Sequence, residues 1–114
     1  MKYMCLVYAS REEDLSARVL SDFPTTVRAM REAGVYLGSG RLKAAGSATT
    51  VRVRDGETLL TDGPFAEIKE HLGGYFILEC DDLDEAVRWV STIPGSRVGA
   101  IEVRPLEVAM GAEH

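Results

Sequence analysis

The chain is poor in the residues that build reactive centres by themselves. It has two cysteines, Cys5 and Cys80, far apart in sequence and both in strand-like segments. A disulfide framework needs more of them, and a zinc site needs closely spaced Cys/His pairs. They read as two buried free thiols in a reducing cytoplasm. Positive charge is also in deficit: 13 Lys and Arg against 18 Asp and Glu give a net charge of −5. With no clustered basic stripe, that balance argues against phosphate-backbone contacts, so no nucleic-acid partner is expected. No apolar run approaches the roughly 20 residues that cross a bilayer, so no membrane partner is expected either. The opening Met1–Tyr8 is too short an apolar run for a signal peptide and lacks a small-residue cleavage site, which points to a cytoplasmic protein. Gly38-Ser39-Gly40 lacks the third glycine and the strand-to-helix context of a dinucleotide loop. There is no phosphate loop, no nucleophile elbow and no metal-ligand cluster, so neither a metal nor a cofactor is expected.

What remains is the composition of an ordinary globular chain: 114 residues, 46% hydrophobic and 27% charged. That length suits a single domain with one core. We place the domain at residues 1–106 and a tail at residues 107–114.

Lys2–Tyr8 alternates as a strand, yet both of its faces are apolar: Tyr3, Cys5 and Val7 on one, Met4, Leu6 and Tyr8 on the other. Such a strand belongs in the middle of a sheet covered on both sides. Leu15, Val19, Phe23, Val27 and Met30 form one apolar stripe and predict a helix over Glu12–Gly34. Pro24 should kink or split it, and Gly34 should cap it. A second strand starts at Val35–Leu37, and Gly38 and Gly40 suggest a bend or a close backbone approach there. Asp55-Gly56 between Thr49–Arg54 and Glu57–Thr61 predicts a two-residue hairpin, with Arg54 opposite Glu57 and Val51 sharing a face with Leu60. Gly74–Cys80 is a third core strand. Asp82 and Glu85 form a capping pair at the start of a second helix, whose buried stripe is Leu83, Ala86, Val87 and Val90. Val98–Arg104 closes the series.

This order is strand, helix, strand, hairpin, strand, helix, strand. It predicts an α+β, ferredoxin-like protomer with an inserted β-hairpin. Two helices cover only one face of the sheet. The apolar second face then calls for a second copy of the same sheet, so a homodimer is expected, its two sheets forming a dimeric α/β barrel.

The stretch Thr61–Gly74 carries the chemistry. Asp62 precedes Gly63-Pro64, where the chain must change direction. Its carboxylate either shapes the turn or serves as a general base or ligand anchor at the loop mouth. Lys69 either pairs with Glu67 or Glu70 or holds an anionic ligand. His71, the only internal histidine, is either a surface residue beside Glu70 or a proton shuttle near neutral pH. A helical turn over Ala66–Leu72 would set Glu67 and His71 on one face. Phe65 is a lid, a core plug or a stacking ring, and Arg41 is a candidate anion contact. Tyr8 and Tyr75, on central strands, either pack in the core or send a hydroxyl into a cavity. Asp62 and His71 are thus the candidate catalytic residues, and Lys69, Phe65, Arg41 and Tyr75 the candidate binding residues for a small polar or aromatic molecule.

Asp62-Gly63-Pro64-Phe65 also resembles the signature of the DGPF group of the YCII-related family. Met1–Met4, Ala48–Arg52, Gly73-Gly74-Tyr75, Asp82–Ala86 and Ile101–Pro105 extend the likeness over nearly the whole chain. The resemblance implies a dimeric α/β barrel of ferredoxin-like protomers. Some members resemble lyases or dehydrochlorinases that use a His/Asp pair, although their histidine lies in no motif that aligns with His71. Others are encoded near extracytoplasmic-function sigma factors, which implies a non-catalytic ligand-sensing or regulatory module, with sigma-factor association, as the alternative. Relatives commonly carry Thr where this chain has Ile68.

Overall fold

Alternation along β1 (Lys2–Ala9) builds the centre of the molecule: Tyr3, Cys5, Val7 and Ala9 are buried, and the residues between them are half-buried. The computed structural model describes residues 1–9, 23–65 and 71–107. β1 lies between β5 (His71–Glu79) and β6 (Gly99–Pro105), and β2 (Tyr36–Arg41) flanks β5 on the outside. The four strands are antiparallel throughout, in the order β2-β5-β1-β6. Two helices, α1 (Phe23–Glu32) and α2 (Leu83–Val90), pack on the face that carries Tyr3, Cys5, Val7, Phe76 and Leu78. Met30, Ala86, Val90 and Ile93 complete that core. This is the expected ferredoxin-like arrangement. Among the described residues no helix lies over the opposite face, with Met4, Leu6, Tyr8, Tyr75 and Ile77, and it is half-buried.

Local chemistry accounts for the element ends. Gly34 has φ of +76°, a left-handed conformation that costs glycine little. The Gly34 N–H donates to the Arg31 carbonyl and the Val35 N–H to the Met30 carbonyl, the paired bonds that close a helix in a Schellman motif. Pro24 lies in the first turn of α1, where a missing N–H costs nothing. The part of the expected longer helix before Phe23 lies outside the described residues. At α2 the Glu85 N–H donates to the Asp82 carboxylate at 2.9 Å. The Glu85 carboxylate reaches back to the Asp81 N–H at 2.7 Å, one residue earlier than in the usual capping box.

β3 (Thr49–Arg54) and β4 (Glu57–Asp62) form a separate two-stranded sheet. Asp55 and Gly56 have φ of 52° and 79°, as a type I′ turn requires. Arg54 faces Glu57, and Val51 faces Leu60, as expected. Because paired residues share a face, Val51, Val53 and Leu60 make one side apolar, and all three are exposed.

β2 runs through Gly38 and Gly40, where the close backbone approach rather than the bend is the outcome, with a register slip between Tyr36 and Gly38 that leaves Leu37 as an extra residue. One strand boundary departs from expectation. β5 begins at His71, three residues before the expected start, because His71 and Leu72 continue the pairing opposite Ala9 and Tyr8 beyond a second irregularity. The expected helical turn over Ala66–Leu72 therefore cannot include His71 or Leu72, and residues 66–70 lie outside the described residues.

Both cysteines are buried free thiols, as expected. Burial, reinforced by the proximity of Cys80, pushes the Cys5 thiol up to about 11, so it stays protonated at neutral pH. At the edge of the sheet the Glu79 carboxylate meets the Met1 ammonium at 2.9 Å and the Lys2 ammonium at 3.4 Å. The contact with the Met1 ammonium holds its pKa below the usual carboxylate range. Partial burial opposes that shift, and Lys2 adds to it.

Two stability effects follow. Gly34→Ala places a Cβ in the left-handed region and should cost about 1 kcal/mol in chemical denaturation; an unchanged midpoint would contradict the cap geometry. A carboxylate whose pKa is depressed by folding stabilises above its unfolded pKa, about 4.3 for glutamate, and the contribution is lost as pH falls through the folded pKa. Glu79→Gln should therefore melt below the parent protein at pH 7, and the gap should close under acid, below about pH 4. A gap that stays constant from pH 7 to pH 3 would rule out the ion pair as its source.

Candidate functional site

A cleft of about 320 Å³ opens where β2, β5 and the first turn of α1 meet. Its floor is bare backbone. Gly74 sits opposite Arg41 on one side and Val7 on the other, and contributes no side chain. A Cβ on Gly74 would fall 2.7 Å from the Gly40 carbonyl oxygen, so the close approach of β2 to β5 demands glycine there. The walls are apolar and partly aromatic: Val7, Phe23, Pro24 and Phe76. Phe23 and Phe76 are in tilted ring contact with centroids 5.3 Å apart, which ties the first turn of α1 to β5. The polar side chains on this face of the lining are Ser39 and Arg41; Tyr75 is also a lining residue, but its side chain belongs to the face opposite the helices.

The candidates from the sequence divide in two. Arg41 ends β2, is exposed and lines the cleft. Tyr75 is half-buried and also lines it. Its ring lies against Gly40 on the face opposite the helices, where an added Cβ would come within 2.7 Å of a ring carbon. The two are close in the fold, but the register turns their side chains to opposite faces of the sheet.

Asp62, Phe65 and His71 are not among the residues that line this cleft. Asp62 ends β4, exposed, opposite Thr49. Gly63, at φ of +95°, turns the chain there. The Gly63 N–H donates to the Ala48 carbonyl at 2.7 Å, and the Thr50 hydroxyl donates to the Gly63 carbonyl at 2.8 Å, strapping the turn to β3. Phe65 is 76% exposed, with the Arg52 guanidinium 5.8 Å from its ring centre. The ring thus rests beside the hairpin rather than plugging the core. His71 opens β5, half-buried, opposite Ala9. Lys69 lies outside the described residues.

Ser39, Gly74 and the aromatic wall Phe23–Phe76 escaped sequence reasoning. A usable signal was present: glycine pairs on two segments, Gly38/Gly40 and Gly73/Gly74, that become neighbours once β2 pairs with β5. Among the described residues no group of three or more His, Cys, Asp or Glu is arranged to hold a metal ion, and no helix is long and apolar enough to cross a membrane.

Comparison with known proteins agrees with this architecture. A protein of Rhizobium meliloti (strain 1021), itself uncharacterized, is 40% identical over 99 residues, covering 85% of this chain and 78% of its own. The solved structure of 5-chloro-2-hydroxyhydroquinone dehydrochlorinase from Burkholderia phenoliruptrix AC1100, in complex with 2,5-dihydroxybenzoquinone, superposes with a TM-score of 0.54. That match covers 99% of this chain and 100% of the dehydrochlorinase at 14% identity, a likeness of fold. The YCII-related domain spans residues 1–109, nearly all of the sheet, helices and hairpin just described, and the chain belongs to that family.

Proposed function

We propose that the cleft between β2, β5 and the first turn of α1 binds a small ring compound bearing polar oxygens. The observation that carries this reading is the combination of a bare glycine floor, aromatic walls and an arginine at the rim. A flat ring fits against backbone without a Cβ in the way, Phe23 and Phe76 shield it from water, and the Arg41 guanidinium suits an acidic oxygen. Ser39 and Arg41 are two residues apart on one strand, hence on one face and about 6–7 Å apart. That span suits a ring with oxygens on opposite sides. The dehydrochlorinase with the related fold was solved with a ring of that kind, a dihydroxybenzoquinone.

Acid–base chemistry on the bound ring is the finer form of the proposal. Asp62 would be the base, with His71 or Lys69 assisting, Phe65 acting as a lid, and Arg41 holding the ligand, whereas Tyr75, expected as a binding residue, turns its side chain to the other face of the sheet. Because Asp62 ends the hairpin rather than lining the cleft, this form requires the signature loop to bring its carboxylate to the ligand. The sigma-factor alternative draws on no observation among the described residues.

The assembly belongs to the same proposal. The half-buried apolar face of Met4, Leu6, Tyr8, Tyr75 and Ile77 supports a homodimer packed sheet to sheet, the dimeric barrel. The exposed Val51, Val53 and Leu60 of the hairpin add apolar area of the kind an interface covers.

Light scattering at micromolar concentration should report twice the 12.5 kDa protomer mass, and a stable protomer would end the dimer proposal. Calorimetric titration with 4-hydroxybenzoate should detect binding that Arg41→Gln weakens roughly tenfold or more, the loss of one charge-assisted hydrogen bond. No binding by the parent protein would overturn the cleft reading. Asp62→Ala should abolish binding while leaving the fold intact if Asp62 reaches the ligand; a variant that melts lower and leaves the titration unchanged would make Asp62 a turn-shaping residue.

A further inference from the structure

In a regular strand, residues three apart point to opposite faces. Tyr36 and Ser39 do not. Tyr36 lies opposite Leu78, and Ser39 lies opposite Phe76, both of which are buried on the helix-covered face. The register slip between Tyr36 and Gly38 is what brings them to one side: Leu37 is the extra residue, 48% exposed. A bulge of this kind re-aims a side chain. Here its product is a hydrogen bond of 2.6 Å between the Tyr36 phenol and the Ser39 hydroxyl.

From this geometry we infer that Tyr36 is a positioning residue that aims the Ser39 hydroxyl at a ligand oxygen in the cleft. The inference rests on the reading of the cleft as a binding site. Tyr36 is itself held on two sides. Its ring packs against the core, and the Arg31 guanidinium of α1 lies 5.0 Å from its centre. A phenol so fixed restricts the rotamer of a serine hydroxyl that would otherwise turn freely.

The pair also works in either direction. With the phenol donating to Ser39, the serine keeps its own proton to give to a ligand oxygen. With Ser39 donating to the phenol, its lone pairs accept from a ligand hydroxyl. The pair therefore suits a ring oxygen as a hydroxyl or as its anion, at the end of the ring away from Arg41. A ring lacking that oxygen leaves the hydroxyl without its ligand partner and binds more weakly.

The test compares 4-hydroxybenzoate with benzoate by calorimetric titration of the full chain. The parent protein should prefer the hydroxylated acid about fivefold, the size of one neutral hydrogen bond. Tyr36→Phe and Ser39→Ala should each bring the ratio to about one while benzoate affinity holds. The double variant should lose nothing further, because the two groups act as one unit. Tyr36→Phe that keeps the preference, or that weakens both acids equally, would overturn the inference, the second outcome being that of a merely structural residue. Ser39→Ala that keeps the preference would overturn it independently, whatever the stability of Tyr36→Phe. A parent protein that binds both acids equally would overturn the inference alone; one that binds neither would overturn the cleft reading along with it.

Discussion

The antiparallel pairing of β1 with β5 is the constraint on which the rest of the structure depends. It sets Cys5 opposite Phe76 and Tyr3 opposite Leu78, all four of them buried. That strip is the surface on which Met30 of α1 and Ala86 and Val90 of α2 settle. A one-residue slip in this register would turn the core strip outward and bring the half-buried set beneath the helices. The helices, the outer strands and the cleft all take their positions from it.

The cleft follows from the same pairing through what is missing. Where the register puts Gly74 between Val7 and Arg41, the helix-covered face loses a side chain and the floor becomes backbone. The approach of Gly74 to the Gly40 carbonyl leaves no room for a Cβ, so packing of the sheet and openness of the site share one cause. Arg41 and Ser39 then lie on the strand that this approach brings in. The polar rim and the apolar walls are joined by the Phe23–Phe76 contact, so the entrance is built on the core itself.

The hairpin stands apart from this logic. It is hydrogen-bonded within itself and strapped at its base through Gly63, Ala48 and Thr50, and its apolar side has no cover among the described residues. A two-stranded sheet is marginal alone in water. Its exposed valines and leucine and the other sheet face pose the same physical problem, apolar surface that the described residues do not bury.

Much of the fold was legible in the residues because the rules involved are local. Alternation marked β1. Asp55-Gly56 dictated its turn because both positions need positive φ. Asp82 and Glu85 marked the start of α2, and Gly34 the end of α1. The ferredoxin-like order follows from those elements in series. The site was far less legible. Arg41 and Tyr75 were singled out and do line the cleft, but its glycine floor depends on which residue of β2 faces which residue of β5. The pairing of Tyr36 with Ser39 depends on a bulge that no residue type announces. Register and bulges are set by packing between segments distant in sequence. The sequence by itself determined the elements and their order, while only the tertiary structure decided where bare backbone, aromatic wall and arginine would meet.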